Sequence, residues 1–94
     1  MKTPCQEAQD ITTGARQQAY GHPLDNLTRV SKLWSAILGV EVTAEQAALC
    51  LVALKLSREC NRHSPDNLVD IAGYANVIYL MDVERQRRAH APKS

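Results

Sequence analysis

Four helix-start signals punctuate this chain, and between them they leave room for little except helices. Thr3-Pro4 and Ser64-Pro65 each place a hydroxyl cap before a proline at the first helical position, where the missing N–H costs nothing. Thr43-Ala44-Glu45-Gln46 is a capping box, in which the Thr hydroxyl and the Gln amide satisfy opposing orphan amides. Pro23, just after Gly21, can open a further helix. Apolar residues follow at helical spacing: Ala8, Ile11, Ala15 and Ala19, then Leu24, Leu27, Val30, Leu33, Trp34, Ile37 and Leu38. The last helix offers Leu68, Ile71, Ala72, Ala75, Ile78 and Leu80. No alternating strand pattern competes. The spacing predicts a first helix from Thr3-Pro4 to Tyr20-Gly21, a second from Pro23 to Gly39, a third from Thr43 to about Asn61, and a fourth from Ser64-Pro65 to roughly Arg88.

Short connections imply neighbouring antiparallel helices, so the expected fold class is all-α: a single domain over residues 1–94, built as a four-helix bundle. The third and fourth helices form its antiparallel pair, and residues 89–94 form a basic, flexible tail. Phe is absent, so the core must be mostly Leu, Ile, Val and Ala, with Trp34 inside it. From Ala47 to Leu54 the third helix is apolar on every side, which predicts a central helix covered all round. A chain of 94 residues with such a helix is expected to finish its burial against a second copy, as a homodimer or higher oligomer.

No apolar run approaches the ~18 to 20 residues of a membrane span, and no signal peptide is evident. Three cysteines, Cys5, Cys50 and Cys60, are odd in number and lack CxxC spacing; they read as free thiols in a reducing compartment, such as a cytoplasm. Net charge is +1, too small for a general attraction to nucleic acid. Arg85, Arg87, Arg88 and Lys93 concentrate positive charge near the end, where a solvated tail is expected rather than a nucleic-acid arm. GxSxG, GxxxxGK[ST], HExxH and Cys/His clusters are all missing, which disfavours acyl transfer and zinc chemistry.

Polar candidates fall in three segments. In the fourth helix Asp66 and Asp70 stand four apart on one face, with Asn67 between them and Tyr74 one turn on. Two like charges at that spacing cost the helix a little unless a cation or ligand lies between, although the helix dipole favours Asp66 in the first turn. The third helix supplies Lys55 and Arg58, with Glu59 and Arg62 beside them, where an antiparallel fourth helix would meet them. Lys55 follows a run of apolar residues, so it would be a recessed cation, and Arg58 could grip phosphate oxygens bidentately. Ordinary ion pairing between these cations and Asp66 or Asp70 is the competing explanation. Around the Gly/Pro turn, Arg16, Tyr20, His22 and Asn26 offer a phosphate clamp, a stacking face and a base- or sugar-reading amide; a plain turn with Tyr20 packed as a hydrophobe is the alternative. His63, beside Asp66, reads like His22 as a loop histidine.

Taken together, Arg16, Tyr20-Gly21-His22-Pro23, Asn26, Trp34, Lys55, Arg58-Glu59 and the DNxxDxxGYA string from Asp66 to Ala75 resemble a family of small proteins found mostly in bacteriophages and prophages, which carries no established activity. The chain also resembles, more distantly, the MazG-like all-α nucleoside triphosphate pyrophosphohydrolases. That likeness implies a MazG-like bundle in which acids hold magnesium against the substrate's phosphates, with Asp66 and Asp70 in the second acidic motif and Glu59 as a further ligand. Asn67 stands where that motif expects a glutamate, and the helix expected to carry ExxE shows Lys55-Leu56-Ser57-Arg58-Glu59 instead. Three readings follow. The first is a phage-encoded protein that sequesters or senses a nucleotide or similar phosphate-bearing small molecule, conceivably a host defence signal, with Lys55, Arg58 and Arg16 on phosphates and Tyr20, Asn26 and Tyr74 on base or ribose. The second is a magnesium-dependent pyrophosphohydrolase, and the third a structural oligomer without ligand.

Overall fold

The computed structural model describes residues 1–14, 17 and 21–91. Among the described residues every regular element is helical: α1 (Pro4–Thr13), α2 (Pro23–Leu38), α3 (Ala44–Asn61) and α4 (Pro65–Ala89). Two of the three expected hydroxyl caps form, while Ser64 precedes α4 without a side-chain capping bond. Thr3 and Thr43 each accept from the backbone N–H of the third helical residue, and Gln6 and Gln46 return the bond to the cap N–H. Gly39 ends α2 at φ 71°, a left-handed value that glycine adopts without a Cβ penalty.

α1 is shorter than its sequence suggests. It closes at Thr13, with Gly14 as its cap, rather than at Tyr20-Gly21. The hydroxyls of Thr12 and Thr13 bond back to the carbonyls of Ala8 and Gln9 (2.8 and 2.6 Å), competing with the helix ladder just before the residue least inclined to continue it.

α4 is the hub. It packs along α1 on one side and along α2 and α3 on the other. The core lies where α2, α3 and α4 meet: Leu24, Leu27, Ala47, Ala48, Val77 and Met81, with Trp34 packed against them as expected. Small residues let the helices approach: Ala47 and Ala48 are fully buried. α1 adheres through buried Ala8 and Thr12, which lie over Gly73 of α4, and Asn76 donates to the Thr12 hydroxyl (2.8 Å).

α3 and α4 do run antiparallel, as Glu45 with Arg85, Lys55 with Asp70 and Glu59 with Asn67 pair across them. α3 is not covered all round, however. Leu49, Leu54 and Leu56 are 56%, 44% and 50% exposed. Because α1 docks on α4, only α2 and α4 remain to cover α3, and they cover one side of it. The basic end of α4 also differs from a solvated tail: Arg85 pairs with Glu45 at the start of α3 (2.6 Å), and the Arg88 guanidinium forks onto Asp25 of α2 (2.8 and 3.0 Å) while its Nε meets Glu84 (2.8 Å). Residues 92–94 lie outside the described part. No described helix is long and apolar enough to cross a membrane.

Candidate functional site

A cleft of about 290 Å³ opens between α2, α3 and α4. Its walls are Leu27 and Val30 of α2, Leu51 of α3 and Val77 of α4, and its polar groups include Asn26 and Tyr74. The sequence therefore singled out two residues that the fold brings to one cavity from different helices. Gly21, at φ 81°, forms part of the rim, where the chain turns sharply into Pro23.

Lys55 stands one turn beyond Leu51 on α3, and Asp70 one turn before Tyr74 on the antiparallel α4. Both thus stand one helical turn from cleft residues, outside the cleft's own lining. There they form an ion pair, Nζ to Oδ2 at 2.8 Å, with the Lys55 side chain only 17% exposed and that of Asp70 37%. Asp70 also lines a small adjoining hollow that shares Thr12, Tyr74 and Val77 with the main cleft. The recessed cation expected from the apolar run before Lys55 is present, and it is held by one of the two aspartates named beside it.

Other candidates belong to the α3–α4 turn. Glu59 accepts from the backbone N–H of Ser64 (2.9 Å) and from Asn67 Nδ2 (3.1 Å), and its second oxygen meets His63 Nδ1. The His63 hydrogen bond, then those from Ser64 and Asn67, hold the Glu59 carboxyl down to about 2. Asn67 is buried because its amide is spent there. Asp66 is exposed in the first turn of α4, and Arg58 is exposed on α3.

This placement argues against Glu59, Asp66 and Asp70 as a magnesium set. Magnesium wants several free oxygen ligands around one point. Glu59 has both oxygens engaged in the turn, Asp70 faces Lys55, and among the described residues no three His, Cys, Asp or Glu groups are placed to hold a metal. The residues do not fit a resident magnesium ion. His22 is likewise local: its Nδ1 accepts from Leu24 N–H (3.1 Å) and caps α2. Arg16 and Tyr20 lie outside the described residues, and their expected contacts with phosphate and base stand only as sequence readings.

Sequence reasoning passed over Thr12, Gln17 and Leu51 as cleft residues. Leu51 sits in a plain apolar run, and nothing local tells a cleft wall from a core position. Gln17 lies next to the named Arg16, with nothing local to mark it as a cleft residue.

The family model described as "Domain of unknown function (DUF6378)" matches residues 5–82. The Gene 55 protein of Mycobacterium phage L5 is 40% identical over 83 residues, covering 86% of this chain and 53% of the relative. The Gene 55 protein of Mycobacterium phage D29 is 32% identical over 87 residues, covering 88% and 58% respectively. The chain spans a little over half the length of these relatives. No solved structure matches it.

Proposed function

Because the chain belongs to the DUF6378 family, whose description assigns no activity, function has to be read from the site, and we propose that it is a phage-encoded protein that binds a phosphate-bearing nucleotide. The observation that carries this reading is the recessed Lys55, which stands one helical turn beyond the Leu51 wall of a cleft lined by Asn26 and Tyr74. A cavity of about 290 Å³ is near the lower bound, ~300 Å³, of small-ligand sites. A base or sugar would lie against the Tyr74 ring and the apolar walls, with the Asn26 amide fixing its orientation. The phosphate would take Lys55 from Asp70, exchanging one anionic partner for another.

That exchange sets a sign. Asp70 competes with the ligand, so Asp70→Asn should tighten binding, whereas Lys55→Met should weaken it by at least tenfold, about the value of one charge-assisted hydrogen bond, ~1.5 kcal/mol or more. Tyr74→Ala should weaken it too. Titration calorimetry against a panel of mono-, di- and cyclic nucleotides, with and without magnesium, reads all three. Failure of the whole panel to bind, or binding indifferent to Lys55 and Tyr74, would sink the proposal. Recovery of intact ligand after heat denaturation supports sequestration. Magnesium-dependent release of pyrophosphate would overturn simple binding in favour of hydrolysis.

A further inference from the structure

We propose that a second copy of this chain covers the outer half of α3, with the two α3 helices crossing antiparallel about Ala53. The outer half of α3 is exposed from Gln46 to Ser57, and it carries no charge: Lys55, the one ionised residue in that span, points inward to Asp70. Leu49, Ala53 and Leu56 recur four and three residues apart, which puts them in one stripe with Ala53 at its centre. A stripe with a small residue between two leucines is self-complementary. About a two-fold axis at Ala53, Leu49 of one copy meets Leu56 of the other, the helix axes can close over the alanines, and opposite ends of the two helix dipoles come together.

The area involved identifies the occupant. The chain exposes 6674 Å², whereas a compact monomer of 10.4 kDa exposes about 5,400 Å². The surplus is about 1,300 Å² per chain, an upper bound of about 2,600 Å² for a pair, which leaves room for a homodimer interface of the ~1,600 Å² standard size. The shape agrees. The molecule measures 49 × 38 × 20 Å, a slab only about two helices thick, and its radius of gyration of 14.6 Å exceeds the ~12.4 Å expected for this length.

Sedimentation equilibrium of the purified chain at micromolar concentration should give twice the chain mass or an even multiple of it. The double variant Leu49→Glu/Leu56→Glu should sediment as the lower species while far-UV circular dichroism keeps its helical signal, since both side chains already face solvent. Cross-linking gives a readout that does not depend on that variant folding. With Cys5, Cys50 and Cys60 replaced by Ser, Ala53→Cys should be joined between copies by a short bis-maleimide, and Asp82→Cys, exposed on α4, should not. A monomer at all concentrations would assign the face to another occupant and overturn the proposal. So would an oligomer unmoved by the two glutamates, or one in which Ala53→Cys fails to cross-link.

Discussion

Glu59 joins α3 to α4 by accepting from His63, Ser64 and Asn67, and the proton it refuses is a stability term. Its carboxyl is held at about 2 against an ordinary 4.5, so the folded state binds fewer protons there than the unfolded one. The stabilisation is fully present above about 4.5 and is lost as pH falls through about 2. Glu84, held to about 2 by Arg87 and then Arg88, adds to the same window. Urea unfolding measured from pH 5 down to pH 2 should therefore show stability falling, and Glu59→Gln should flatten part of that fall while lowering stability at neutral pH. A slope unchanged by the substitution would remove Glu59 from the account. Its metal-ligand role was implied only by the MazG-like resemblance. A carboxylate between Arg58 and Cys60 gives no local sign that its acceptors will be used by a turn four residues on.

The helices were legible in proportion to how local their causes are. Caps act over three residues, so Thr3, Thr43 and Ser64-Pro65 placed three starts, and Gly39 placed one end. Which helix covers which is a long-range matter. The full coverage expected of α3 failed because α1 found Gly73 on α4 instead, an attraction invisible until Ala8 and Thr12 are seen against it. The contact there is not tight. A Cβ on Gly73 would stand 3.7 Å from Thr12 Cγ2 and 3.9 Å from Ala8 Cβ, which is ordinary van der Waals distance. Gly73→Ala should then stabilise the chain by up to ~1 kcal/mol through helix propensity, raising the thermal midpoint by up to about 5 °C. At Gly39 the outcome reverses: φ of 71° makes Gly39→Ala cost ~1–2 kcal/mol. Thermal melts of the two variants check both signs, and a destabilised Gly73→Ala would mean that α1 lies closer to α4 than these distances state.

At the scale of the molecule, polar and apolar surfaces divide the work. The cleft and the neighbouring Lys55–Asp70 pair need only one chain, because every residue that forms them comes from α1, α2, α3, α4 or the segment joining α1 to α2. The stability of that chain is another matter. Met81 is the one large side chain that is wholly enclosed among the described residues, and the rest of the deepest core is alanine, which contributes little transfer energy for each position ordered. If the outer half of α3 is completed by a second copy, folding and association become one equilibrium, and the thermal midpoint must rise with protein concentration. For two chains of this size unfolding together, each tenfold increase in concentration supplies ~1.4 kcal/mol and raises the midpoint by about 3 °C. Scanning calorimetry over two decades of concentration should show that rise, and Leu49→Glu/Leu56→Glu should melt lower at a midpoint independent of concentration. A flat midpoint for the unaltered chain would mean that its sparse core suffices alone, and that its exposed leucines have no stabilising partner in a second copy.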